Sequence, residues 1–596
     1  TKGAAVTLKY NTDQNNSFSM EGGTVTGTKN TIDAMGGVVE ITGGSITTSS
    51  TSIGDYAIRN GYGYTNITIG IKNGNNSDVY VTSILGKADS ILTINSGIVG
   101  RIGGVINEND ILNGLFEQDI TSLLPAGKMC EEVTANEQTY YSVINLTEEG
   151  AEAKIGETLY ASAIAAAKAI KNNETLILLN DVVGSTDSSN GLLSISARNV
   201  TIDLNGYSVK NTSDNGVGIS IKNPNSSPNE SCDATIINSA ENTSTITATI
   251  PVRFSSGNTM YTITAHLNGN IELVTTDTST NAQKIELDSG ALLAYSEDAA
   301  DAVGQGGFKA TEADGISYIY GSFGDAVEAD VNKTALLLND YTGNSAIQLN
   351  DGKTGTLDLG GHTYTYTGTG SAVRVNNSNT NLTVKNGTIL SSGGGAEVGL
   401  PYSGAPGEGD ILPSNVSLTL DAVDFTVNGK GYGVVSNGRC SNIDLTLQNG
   451  TVLNASNALG IYWPSGDGMV TIDNSQVIAH TGVQICAGGL TVKGENTKIG
   501  ATGNPVDKTE SDGGILDGAA VSIVKRNGYQ DLTEVSIQDG VFESTSSSEA
   551  VKAYTFNNQT EGTWNEAGEV ISISGGTFSS DPSAYVVPDK IALVQN

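Results

Sequence analysis

The sequence predicts an all-β solenoid, short strands stacked turn upon turn, and three observations carry that expectation. First, an apolar/polar alternation runs into a Gly- or Asn-containing turn and then a second apolar residue, as in Glu40-Ile41-Thr42-Gly43-Gly44-Ser45-Ile46, Thr446-Leu447-Gln448-Asn449-Gly450-Thr451-Val452 and Ser572-Ile573-Ser574-Gly575-Gly576-Thr577-Phe578. The early copies begin at 19, 40, 68 and 93, steps of 21, 28 and 25 residues. Such a period marks repeats that hide their apolar faces only against their neighbours. Second, 74 Gly with abundant Asn, Ser and Thr, against 11 Pro and 6% aromatics, suits many short strands joined by tight turns. Third, 596 residues exceed one ordinary compact core, yet little helical periodicity is visible. The 37% apolar content, regularly spaced, argues against a disordered Ser/Thr/Asn-rich linker.

Charge narrows the partners. Thirty Lys plus Arg against 64 Asp plus Glu give a net charge of −34, which repels nucleic acid and anionic membranes and favours solubility. Cys130, Cys232, Cys440 and Cys486 show no metal-ligand spacing and read as small buried apolar residues. No apolar run approaches 18 residues, so no membrane insertion is expected. The chain begins inside the repeat pattern, so any export signal or anchor is expected outside this segment.

The elements come in a definite order. Thr175-Leu176-Ile177-Leu178-Leu179-Asn180-Asp181 and the later Thr201-Ile202-Asp203-Leu204-Asn205-Gly206 recur as Thr334-Ala335-Leu336-Leu337-Leu338-Asn339-Asp340 and Thr356-Leu357-Asp358-Leu359-Gly360-Gly361, at offsets of 159 and 155 residues. Before the first copy, the spacing of Leu159, Ala163, Ile164, Ala167 and Ile170 predicts a helix over 159–170 with Thr158 as N-cap. A shorter helix is expected over 323–331. Each is placed to cover the open end of a stack. Phe116-Glu117-Gln118-Asp119 and Phe578-Ser579-Ser580-Asp581 each lead through a Pro and a Lys to a short apolar strand, 140–143 and 591–594. The expected organisation is therefore the C-terminal part of a first module with closing strands (1–146), a second module with an N-terminal cap helix (147–320) and a third with a short cap helix and closing strands (321–596).

The order of Ala-rich cap helix, LLND-like strand, TIDLNG-like rung, GGTF-like rungs and Pro-Lys closing strand resembles the right-handed parallel β-helix modules, pectate-lyase-like, of large surface proteins from Gram-positive bacteria. The resemblance implies tandem right-handed parallel β-helices with short capping helices. It also implies an extracellular, adhesin-like role at the bacterial cell surface, with a host glycoprotein of the mucin or immunoglobulin class, or a glycan, as partner.

The same shape carries polysaccharide hydrolases and lyases, so the residues must be tested for chemistry. Asn11-Thr12-Asp13 matches one hydrolase string alone, no Asp-Asp pair occurs, and His362 sits in Gly-Gly-His-Thr. Without a positioned acid and base, glycosidic cleavage lacks its protonation and its nucleophile or activated water. None of the seven arginines lies in a lyase-like string, and Asp203 and Asp358 read as turn residues. The scattered His266, His362 and His480 form no metal trio or hydrolytic triad. The chain is thus read as non-enzymatic, with no catalytic residue and no metal ligand assigned. A carbohydrate-active enzyme and a passive stalk are the alternatives. No cofactor is expected, Ca2+ at the acidic turn 512–518 being the one ion left open. Two threonine-rich strings, 245–249 and 363–367, read as ordinary strand. Binding is expected at loops that interrupt the repeats: Tyr402 and Asp410 in the Gly/Pro-rich stretch 400–410, Tyr462 and Trp463 beside a turn, and Tyr62 and Tyr64.

Overall fold

The computed structural model describes residues 4–9, 15–61, 64–224, 230–256, 261–279, 282–288, 290–349, 352–399, 413–436, 440–464, 467–506, 513–529 and 531–593. The protein is all-β, with few helices and sheets rich in parallel pairing. It divides into two compact units. One comprises Thr1–Ser227, Cys232–Arg253 and His266–Thr276; the other comprises Pro228–Ser231, Phe254–Ala265 and Asp277–Asn596.

In the first unit the repeated phrase becomes a parallel ladder. Met20 pairs with Ile41, Ile41 with Ile69, Ile69 with Ile94 and Ile94 with Leu112, and all five are buried. A second ladder aligns Ile32, Ile58, Ile84 and Ile102. The antiparallel hairpin Lys128–Ala135/Gln138–Asn145 comes next, and its second strand pairs with Leu115–Phe116. Asn136 and Glu137, both at positive φ, make its turn. Further along, Leu176, Ile202 and Ile236 stack in parallel, as do Val182, Val209, Ile246 and Leu273.

The first helix, α1, is shorter than expected. It spans Ala163–Ala169, because Thr158–Tyr160 instead pairs antiparallel with Ala153–Ile155 around Gly156 at φ 57°. Thr158 is therefore in a strand and caps nothing. Glu152 accepts the hydrogen bond from the Ala163 N–H at 2.9 Å, filling the role expected of the N-cap.

The second unit contains α2 (Glu297–Val303), for which the sequence pattern gave no expectation, and α3 (Phe323–Ala329), close to the expected 323–331. Beyond them lie three parallel files. The first aligns Ala335, Leu357, Val384, Leu420, Leu447, Ile472, Val492, Ile537 and Ile573. The second aligns Tyr364, Ile389, Phe425, Leu453, Val477, Ile499, Phe542 and Phe578. The third aligns Ile347, Val373, Ala396, Val434, Ile461, Val483, Val521 and Val551. All three converge on one apolar core. Burying each of the Val, Leu, Ile and Phe side chains among them contributes about 1.5–3 kcal/mol.

The turns between files use left-handed asparagines. Asn386, Asn449 and Asn474 have φ of 57°, 56° and 46°. Asn386 donates to Asp358 at 3.2 Å and Asn449 to Asp421 at 2.7 Å. Asp358 and Asp203 also accept from the backbone N–H two residues on, which makes them turn braces. The four cysteines are buried, as expected. The closing strand expected at 591–594 is not formed over 591–593: Ile591 and Leu593 are 78% and 79% exposed and lie in no strand, and Val594 lies outside the described residues.

Candidate binding surface over the third file

Period-two alternation builds this surface. In the strand Val452–Trp463, Ile461 and Trp463 enter the main core while Tyr462, between them, points to the opposite face. Tyr462 shares that outer row with its register partners Val435, Gln484 and, further along, Ser522 and Lys552. Outward residues of a sheet are normally half-exposed. Here Tyr462, Gln484 and Ser522 are at most 1% exposed, because residues 513–520 pass over them.

The covering segment is fixed by specific polar contacts. Gln484 donates its amide to the Ile515 carbonyl and accepts from the Ile515 N–H, both at 2.9 Å. Thr481 accepts from the Gly518 N–H at 2.9 Å. The buried Asp517 carboxylate accepts from the Ala519 N–H at 3.1 Å, the Ser522 hydroxyl at 2.6 Å and the Tyr554 hydroxyl at 2.9 Å. Three donors offset the cost of burying that charge. Asp517 is accordingly an anchor for the segment.

Aromatic residues gather at the rim. The Tyr432 and Tyr462 rings lie 5.4 Å apart, and the Tyr462 and Tyr529 hydroxyls 3.1 Å apart. The Arg526 guanidinium sits over both Tyr529 (5.1 Å) and Phe556 (5.2 Å) and donates to the Gly513 carbonyl. Lys552 lies over Tyr554 at 4.5 Å and pairs with Glu561 at 2.8 Å. Burial, reinforced by Cys486 and Tyr529, pushes the Tyr462 phenol far above its ordinary value, and burial does the same to Tyr554. Both stay neutral. Tyr432, Arg526, Tyr529 and Phe556 remain half-exposed. The arrangement offers aromatic faces and a guanidinium edge on a rigid, buried floor, which suits stacking and hydrogen bonding to a bound surface.

The expected binding residues fare differently. Tyr462 and Trp463 are not a pair of loop aromatics: they occupy opposite faces of one strand, 1% and 0% exposed, so neither meets solvent as expected. Tyr462 is the floor of the aromatic cluster, and Trp463 is core. Tyr64, in the other unit, is 61% exposed. Tyr62, Tyr402 and Asp410 lie outside the described residues. Sequence reasoning missed Tyr432, Arg526, Tyr529 and Phe556. The usable signal was an aromatic within Gly-containing turns: Gly431-Tyr432-Gly433 just before the rung adjacent to Tyr462, and Gly528-Tyr529 just after the strand two rungs along. In the acidic turn read for Ca2+, Asp512 lies outside the described residues and Asp517 is engaged as above; among the described residues no group of three or more His, Cys, Asp or Glu is arranged to hold a metal ion. No helix among them is long and apolar enough to cross a membrane.

Fold and surface together define a parallel-rich all-β protein with an aromatic patch built on one strand file. No family model, curated protein or solved structure matches the chain.

Proposed function

We propose that the chain consists of right-handed parallel β-helix modules, over 1–146, 147–320 and 321–596, and acts as a non-enzymatic, adhesin-like surface protein of a bacterium. In this reading a host glycoprotein of the mucin or immunoglobulin class, or a glycan, is held against its outer face. The observation that carries the binding role is the half-exposed set Tyr432, Arg526, Tyr529 and Phe556 on the buried Tyr462. Tyr and Arg seated on a packed floor are the residues that dominate binding energy at protein surfaces. The long parallel registers support the scaffold role, since each rung packs on its neighbours and holds the contact residues without loss of chain entropy on binding.

The test is capture on immobilised mucin and immunoglobulin. Arg526→Ala combined with Tyr529→Ala is expected to weaken capture at least about tenfold, because truncating a hot-spot residue costs more than about 1 kcal/mol. Capture by the unaltered protein that is indifferent to both changes removes the patch from the account. Release of reducing ends or unsaturated products from polysaccharides would replace the adhesin reading by the enzyme one. Absence of saturable capture would leave a passive stalk.

A further inference from the structure

The outer face of the first file in the second unit carries a feature that the separate threonine strings do not reveal. Thr334, Thr356, Thr383, Thr419, Thr446, Thr471, Thr491, Ser536 and Ser572 stand in direct register, one hydroxyl per rung. All are half-exposed. Among the described residues, the hydroxyls of Thr356, Thr383, Thr419, Thr446 and Thr471 have no hydrogen-bond partner, and the rung spacing of about 4.8 Å keeps them from bonding one another. They form a row of free donor-acceptor groups at constant spacing.

A groove of about 170 Å³ runs beside this row across three rungs. Its lining is Asn379 and Asn381, then Asn415, Val416 and Ser417, then Asn442 and Asp444. Asn379, Asn415 and Asn442 hold left-handed backbone, and their amides chain together: Asn442 donates to Asn415 at 2.6 Å and Asn415 to Asn379 at 2.9 Å. Each donating amide uses one N–H in the chain and keeps a second. No Lys or Arg lines the groove, and Asp444 adds negative charge to a chain of net −34.

We infer that this face binds a neutral, extended, linear polysaccharide, laid across the strands with one sugar per rung. A pyranose in an extended chain advances by nearly the rung spacing of about 4.8 Å, so successive sugars meet the same set of groups: a threonine hydroxyl, the Asn381, Ser417 or Asp444 side chain, and an amide of the asparagine chain. Sugar hydroxyls donate and accept, as do the threonine, serine and asparagine partners, while Asp444 accepts only. The two lysines that flank the row, Lys385 and Lys493, are paired with Asp358 and Asp473, and the acidic field disfavours anionic polysaccharides. Affinity accumulates over rungs, each contact being weak. The inference rests on the surface-binding reading and adds to it a site and a ligand class.

Affinity electrophoresis in gels containing soluble β-linked glucan, β-linked mannan or, as the anionic control, polygalacturonate tests it. A neutral polymer is expected to retard the protein. The triple variant Thr383→Val, Thr419→Val, Thr446→Val keeps strand propensity and shape and is expected to bind at least about tenfold more weakly. The matching triple Thr→Ser variant, which keeps the hydroxyls, is expected to retain more than half of the retardation, with both variants melting as the unaltered protein does. Equal binding by the valine variant, a preference for polygalacturonate, or no retardation by either neutral polymer overturns the inference. Mucin or immunoglobulin capture that persists in those cases, sensitive to Arg526→Ala and Tyr529→Ala, leaves the broader reading standing; loss of that too ends both.

Discussion

His480 lies against Gly503, where even a Cβ would meet its ring, and its buried Nδ1 has no hydrogen-bond partner. Burial holds its pKa below the ordinary value, against the opposing pull of Asp517. With the folded value below that of the unfolded chain, about 6.5, the unfolded state takes up the proton first as pH falls. Stability from this group is therefore complete above the unfolded value, declines on acidification, and levels off below the folded value. His480→Asn is expected to lose that slope: urea midpoints of native and variant should converge or cross between about pH 7.5 and 5.5, the native protein losing more. Parallel curves would show that the imidazole is not penalised. Asp517, also buried, is an anchor and not a reagent, since its carboxylate is committed to three donors within the fold.

Turns make the clearest demand among the elements. Between the first and second files, Asn386, Asn449 and Asn474 occupy the left-handed position, and Ala422 holds it on the intervening rung at φ 54°. Alanine is strained there by roughly 1 kcal/mol, and it lacks the amide with which Asn386 and Asn449 brace an aspartate of the neighbouring rung. Ala422→Asn is expected to stabilise the protein by about 0.5–1 kcal/mol, read as a raised urea midpoint; an unchanged or lowered midpoint would contradict the turn account. Asn386 and Asn449 were legible in the sequence as Asn-Gly phrases, whereas Asn474, followed by Ser475, was not; the buried positions of the first unit were legible too, because Ile41, Ile69 and Ile94 sit at one place in one phrase. The start of α1 was not legible. Thr158–Tyr160 has helical spacing with Ala163, Ala167 and Ile170, and only its pairing with Ala153–Ile155 makes it a strand. Nor was the division of Tyr462 from Trp463. A register shift between Ala455 and Leu459 breaks the alternation just before them, and the cover over Tyr462 comes from residues 513–520, far along the chain. The threonine row was hidden for a related reason: one hydroxyl per rung, at steps that vary with loop length, forms no string.

For the whole chain, each compact unit is held mainly by contacts between sequence-neighbouring repeats, as the registers of both units show. Proteins so built distribute stability rung by rung and carry their functional groups as files on the outer faces. The aromatic patch and the hydroxyl row depend equally on that registry, since a slip of one residue would turn Tyr462 and every threonine of the row inward. The most direct measurement is therefore disulfide trapping of register partners. Thr356→Cys/Thr383→Cys, Thr419→Cys/Thr446→Cys and Thr471→Cys/Thr491→Cys each place two cysteines directly opposite on adjacent parallel strands, with Cα atoms at about 4.8 Å, inside the range a disulfide spans. All three pairs are expected to oxidise within the native fold, while the mismatched pair Thr356→Cys/Thr419→Cys, two rungs apart, stays reduced. Thiols that remain free in the matched pairs, or a disulfide in the mismatched one, would contradict the stacked register on which the account stands.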